Sequence, residues 1–248
     1  MNSKKILPLL SFLALLLVIP VVMAYFQRGG FNLRISALEE DEPTNVVVSD
    51  TTGESFRVAW ITQREVIGGI LLSDGTRFSE NDKTSYHSLE VTGLSQATSH
   101  SFKLLSDSKE FSSEAGGDYI HDTAALPKGT QKFLVYGQVF SPDGFSFQQG
   151  GIITMQLSNE VMSSDILSTT INETGGFQFD IGNLLDKGLL RGFPYRTKSD
   201  ATLVVYISHD TEGVSKQHTL DFSTNRQIPN LYLGEVNIDI LPAIEGGE

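Results

Sequence analysis

The sequence predicts an all-β protein: two tandem antiparallel β-sandwiches behind an N-terminal transmembrane helix. Three observations lead there. From residue 43 onward, large apolar side chains recur with period two in short segments bounded by turn residues, which places them on one face of a strand. Between residues 43 and 123 no convincing helical period competes with that alternation. Residues 6–26 form one uncharged, apolar run.

A helix rises 1.5 Å per residue, so a run of about 20 residues crosses a hydrocarbon core of ~30 Å. Residues 6–26 meet that length, and Pro8 and Pro20 lie near the ends, where a proline is tolerated. Lys4 and Lys5 precede the run and hold the short end in the cytoplasm; Tyr25 and Phe26 suit the far interface. The segment 1–26 is therefore expected to be a retained signal-anchor, with everything after it outside the cell. The alternative is a cleaved signal peptide ending at Ala24, since Val22 and Ala24 satisfy the small-residue pattern, although signal cores are usually shorter. On that reading the protein is secreted.

Residues 27–42 begin with Gly29-Gly30 and end in Glu39-Glu40-Asp41-Glu42. Like charges repel and no apolar period runs through the stretch, so it reads as a solvated acidic juxtamembrane linker. Residues 43–124 make the first expected sandwich. Residues 44–49 are a short apolar strand; Phe56, Val58 and Trp60 alternate with Arg57 and Ala59; residues 69–73 form another apolar run, closed by Ser73-Asp74-Gly75-Thr76. Leu89 and Val91 alternate before Gly93, His100, Phe102 and Leu104 alternate on the next segment, and residues 119–123 supply the last strand.

The residues Ser55-Phe56-Arg57-Val58-Ala59-Trp60, followed by Leu94-Ser95-Gln96-Ala97-Thr98-Ser99-His100-Ser101-Phe102, resemble a fibronectin type III domain. The resemblance implies that Trp60 packs in the core and that Leu94, Thr98 and Phe102 form the corner segment of that family. Gln96 and His100 depart from it, standing where the family has proline and the corner tyrosine.

Residues 125–131, containing Leu126-Pro127-Lys128-Gly129, read as a linker. Alternation then resumes over 132–241. Phe133, Val135, Gly137 and Val139 share one face, and Ser141-Pro142-Asp143-Gly144 is a turn. Residues 152–157 and 167–171 follow as strands. Phe177, Phe179 and Ile181 return from the turn at 172–176, and Leu203, Val205 and Ile207, then 218–222 and 231–233, complete the set. Val135-Tyr136-Gly137-Gln138-Val139, Asp143-Gly144, Gly150-Gly151-Ile152-Ile153 and Thr174-Gly175-Gly176-Phe177-Gln178-Phe179 together resemble a carboxypeptidase regulatory-like sandwich. Residues 242–248 are a C-terminal tail. The combination of anchor, fibronectin-like and regulatory-like units resembles modular surface proteins of bacteria.

Chemistry is scarce. With 18 Lys+Arg against 30 Asp+Glu the net charge is −12, which argues against nucleic acid and anionic lipid surfaces as partners. The absence of cysteine excludes disulfides, thiol catalysis and cysteine zinc sites. No phosphate loop, nucleophile elbow or zinc-protease motif occurs. His121-Asp122 and His209-Asp210 are the nearest approach to metal pairs, but adjacent residues in a strand point to opposite faces. Asp74-Gly75, Glu80-Asn81-Asp82 and Asp143-Gly144 offer oxygen ligands without calcium-loop order, and turn chemistry accounts for them. Asn172-Glu173-Thr174 fits a glycosylation sequon. No catalytic residue, cofactor or metal is therefore expected. The functional expectation is a non-catalytic, membrane-anchored surface protein for adhesion, envelope structure or binding of an extracellular protein or glycan. The alternative is a carbohydrate-binding or enzyme-accessory module of an extracellular hydrolase system.

Overall fold

The computed structural model describes residues 39–234 except 114, 128, 210 and 211. The expected span at 6–26 and the tail at 242–248 lie outside the described residues. Among the described residues there are strands and no helix, as the period-two pattern requires.

Strands β1 (Thr44–Ser49), β2 (Ser55–Val66) and β5 (Thr84–Thr92) form an antiparallel sheet in the order β1-β2-β5. A second sheet is ordered β4-β3-β6-β7, from β3 (Gly68–Leu72), β4 (Arg77–Ser79), β6 (Ser99–Ser106) and β7 (Lys109–Phe111). Strand β8 (Tyr119–Asp122) also pairs with β6. The alternation read in the sequence aims Phe56, Val58 and Trp60 of β2 and Val91 of β5 at Ile70, Leu72, Phe102 and Leu104 of the other sheet, and these buried side chains form one core. Trp60 is fully buried, as the resemblance implied. The corner is closed differently from that family. The His100 Nε2 is buried with no hydrogen-bond partner among the described residues, and Thr123 instead donates from Oγ1 to the Ser95 carbonyl at 2.6 Å while accepting from the Thr98 amide at 3.1 Å. The short strands β4 and β7 were not legible in the sequence.

The second half repeats this layering. Strands β9 (Leu134–Phe140), β12 (Gly176–Asp180) and β15 (Leu231–Tyr232) form a sheet ordered β12-β9-β15, with β15 parallel to β9. Strands β10 (Ile152–Ser158), β11 (Leu167–Thr170), β13 (Lys198–Tyr206) and β14 (Val214–Asp221) form the facing sheet β11-β10-β13-β14. Val135, Val139, Phe177 and Phe179 meet Ile153, Met155, Leu157, Leu203 and Val205 in a second core. Sheets stacked face to face over alternating side chains are the layering of a β-sandwich.

The two sheet pairs are packed against each other. Ala59, expected on the outward face of β2, and Ile61 two residues on are buried against Ile152, with Tyr86 and Tyr206 beside them. Gly150 marks this contact: its φ is +72°, and a Cβ there would lie 2.5 Å from the Tyr86 ring. A side chain at 150 would be strained by both its backbone and its neighbour. Of the acidic cluster before β1, Glu39 and Glu40 are exposed, and one residue departs from the solvated reading. Asp41 is not solvated like a free charged tail; it is buried, with Oδ2 3.2 Å from Arg64 Nη2 and 3.0 Å from Lys109 Nζ. The hydrogen bond from the Lys109 ammonium, reinforced by Arg64, holds its carboxyl below the usual range.

Candidate functional site

The residues singled out from the sequence are dispersed. Asp74 and Asp143 cap their own turns: Asp74 Oδ1 accepts from the Thr76 amide at 2.8 Å, and Asp143 Oδ1 from the Phe145 and Ser146 amides, each at 2.9 Å. Asn172 Oδ1 likewise accepts from the Thr174 and Gly176 amides. On β8, His121 is half-buried and bonded to Thr51 Oγ1 through Nε2 at 2.9 Å, while Asp122 is exposed on the other face. Asp210 lies outside the described residues. Among the described residues no group of three or more His, Asp or Glu side chains is placed to hold a metal ion.

Glu80 belongs to a group the sequence did not reveal. Its Oε2 lies 2.7 Å from His87 Nδ1, and His87 Nε2 lies 3.0 Å from Thr62 Oγ1. The arrangement carboxylate–imidazole–hydroxyl has the connectivity of a nucleophilic triad. Burial excludes that role. Thr62 and His87 are buried, at 1% and 0% exposure, leaving no access for a substrate. Thr62 Oγ1 also lies within hydrogen-bond distance of the Arg64 carbonyl, at 2.8 Å. Glu80 further accepts from the Gly68 and Ser88 amides at 3.1 and 3.2 Å, and the ring stacks on Trp60 with centroids 4.8 Å apart. The group fixes the β2–β5 sheet to the turn after β4.

A second polar cluster joins the two sheet pairs. The Asp50 amide donates to the Ile166 carbonyl at 2.8 Å, and Asp50 Oδ2 accepts from the Ser168 amide at 3.0 Å and from Ser49 Oγ at 2.9 Å. In the reverse sense, Asp165 Oδ2 accepts from the Thr51 amide at 3.0 Å. Because Ser49 spends its proton on Asp50, the 2.6 Å contact between Ser49 and Ser168 has Ser168 donating. Burial pushes the Asp50 carboxyl up to about 6, against the opposing charge of Arg57 at 3.6 Å, and burial raises Asp165 as well. Paired carboxyls with raised values suit acid–base chemistry. The cleft beside them, however, measures about 230 Å³, below the ~300–1,000 Å³ of ligand pockets, and both carboxyls hold amides of the opposite half. The cluster is a clasp.

A surface open to a partner is the outward side of β12-β9-β15. With Val135 and Val139 turned inward, Tyr136, Gln138 and Phe140 of β9 point outward. Tyr136 is 50% exposed and sits opposite Gln178 of β12 on one side and Gln227 on the other. Phe140 lies between Phe147 and Tyr232, with ring centroids 5.2 and 5.0 Å away. Phe147 and, at the tip of the Asp143-Gly144 turn, Phe145 remain 44% and 79% exposed. The sequence carried half of this signal: placing Val135, Gly137 and Val139 in the core puts Tyr136 on the opposite face. The neighbours that make it a surface come from strand pairing remote in sequence.

No protein-family model matches the chain, and no curated protein matches it. Among solved structures it is similar to a two-domain fibronectin type III segment of chicken tenascin, at 11% identity over 73% of this chain and 99% of that one, with a TM-score of 0.23. It is also similar to the Corynebacterium diphtheriae major pilin SpaA, at 10% identity over 77% and 68% of the two chains and a TM-score of 0.25. The human OSCAR ligand-binding domain gives 10% identity over 73% and 97%, with a TM-score of 0.21. Likenesses this weak assign neither a family nor a role.

Proposed function

We propose that the chain is a non-catalytic binding module of the cell surface, anchored by residues 6–26 and presenting two tandem sandwiches outside the membrane. The first is fibronectin type III-like: the orders β1-β2-β5 and β4-β3-β6, with β8 on β6 and Trp60 in the core, support that reading. The Gly150-Gly151 entry into β10 and the Phe177/Phe179 return strand support a regulatory-like second unit. The observation that carries the function is the set of exposed rings, Tyr136 on the outward face of β9 and Phe145 and Phe147 on the following turn, whose Phe147 pairs with Phe140. Large rings left in water cost free energy unless a partner covers them, and rigid aromatic side chains lose little conformational entropy on contact. The partner is an extracellular protein or glycan.

The test is saturation binding of the full chain, held in lipid nanodiscs, to cell-envelope and matrix preparations. Wild type is expected to bind saturably, and the combined Tyr136→Ser, Phe145→Ser variant, which leaves the Phe140–Phe147 contact in place, to lose that binding while keeping its melting profile. Equal binding by the two proteins, or turnover of phosphate, glycoside or peptide substrates by the wild type, contradicts the reading.

A further inference from the structure

We infer that the outward face of β12-β9-β15 binds a neutral glycan, with Tyr136 as the stacking platform; this rests on the binding-face reading above and names its ligand class. The chemistry of the face selects the ligand. Tyr136 is flanked across both neighbouring strands by amides, Gln178 at its antiparallel partner position and Gln227 at its parallel bridge, with Gln138 two residues along on the same face. Side chains at directly paired positions stand side by side on one face of a sheet. An amide offers both a donor and an acceptor, as does a sugar hydroxyl, whereas an ionised side chain offers only one of the two roles. The apolar C–H face of a pyranose supplies what the ring needs.

Charge narrows the class further. The outward positions of β9 are Leu134, Tyr136, Gln138 and Phe140, none of them ionisable as a cation or carboxylate. Asp180, opposite Leu134, is engaged through Oδ1 by the Phe133 and Gly182 amides at 2.9 and 3.1 Å. A chain of net charge −12 without a cation on these positions repels uronic or sulfated sugars. Strand addition by an extended peptide would use the sheet edges, of which β15 is two and β12 five residues long, and neither edge carries Tyr136, which lies on the central strand β9. The clasp between the sheet pairs uses residues before β2 and around β11, so it leaves this face uncovered.

The experiment passes the full chain in nanodiscs over immobilised neutral polysaccharides (cellulose, mannan and galactan), anionic ones (alginate and hyaluronan) and blank matrix. Retention is expected on a neutral polysaccharide, with competition by its soluble oligosaccharide. Tyr136→Ala should weaken retention by at least about tenfold, as truncation of a central aromatic contact does, and Gln178→Leu should weaken it as well. Tyr136→Phe keeps the ring and should keep binding; circular dichroism of each variant checks that it folds. Retention on anionic matrices alone, or on none, overturns the glycan inference. If a protein partner still depends on Tyr136 in that case, the binding-face reading survives it; if no partner does, both fall.

Discussion

His87 illustrates how a buried polar residue can look catalytic and be structural. Its ring is hydrogen-bonded on one side to Glu80 and on the other to Thr62, and it lies flat on Trp60. Removing one member of a buried hydrogen-bonded set leaves its partners unsatisfied, at a cost of about 1–3 kcal/mol each. Glu80→Ala also orphans the Gly68 and Ser88 amides, so denaturant unfolding should show a loss of about 3 kcal/mol or more. A loss below about 1 kcal/mol would contradict the network. Nothing in the run Glu80-Asn81-Asp82 distinguishes this from an ordinary acidic turn, because the partners come from β2 and β5 and are fixed only by the pairing of Trp60 with His87 across those strands.

At the scale of elements, strand alternation was legible wherever one face meets a core and the other meets water: Phe56/Val58/Trp60, Phe102/Leu104, Val135/Val139 and Phe177/Phe179 all point as their period predicts. It was not legible for Ala59 and Ile61, whose face is covered by Ile152 from a strand far along the chain. The clasp escaped for the same reason, since Asp50 reads as a strand-end turn residue until Ser168 is beside it. It makes a pH prediction. Burial lifts the Asp50 carboxyl from 3.8 to about 6 in the folded chain, so the folded state keeps a proton that the unfolded state has released. The stability this contributes is full below pH 3.8 and is lost as pH rises through about 6. His121, lowered by burial, works in the opposite sense, so the comparison is made against Asp50→Asn, which leaves His121 in place. Relative to that variant, wild type should lose about 1 kcal/mol between pH 5 and 7.5 in urea unfolding. A difference independent of pH removes Asp50 as the titrating group. At the same junction, Gly150→Ala meets the Tyr86 ring with an unfavourable φ, and the melting temperature should fall by several degrees, as a loss of ~1–2 kcal/mol produces; an unchanged melt would mean that the two sheet pairs do not rely on this contact.

Taken whole, the described chain is two sheet pairs joined by the clasp, by the Tyr86 hydroxyl donating to the Ile207 carbonyl at 3.0 Å and by a small apolar contact, with a set of exposed rings on the second pair. Trp60 is the only tryptophan and lies in the first pair, so its fluorescence reports that pair alone, whereas far-UV dichroism reports every strand. Coincident unfolding by the two probes is expected for the full chain, and separated transitions would show that the junction does not couple the pairs. The central claim, that the molecule works by covering its exposed rings with a surface partner, is tested most directly by hydroxyl-radical footprinting of the full chain in nanodiscs, alone and on intact cell envelopes. Tyr136, Phe145 and Phe147 should be protected on the envelope, while Val161 and Leu190, exposed at 78% and 72%, keep their reactivity. Unchanged labelling of the three rings, or protection confined to Val161 and Leu190, would contradict the account.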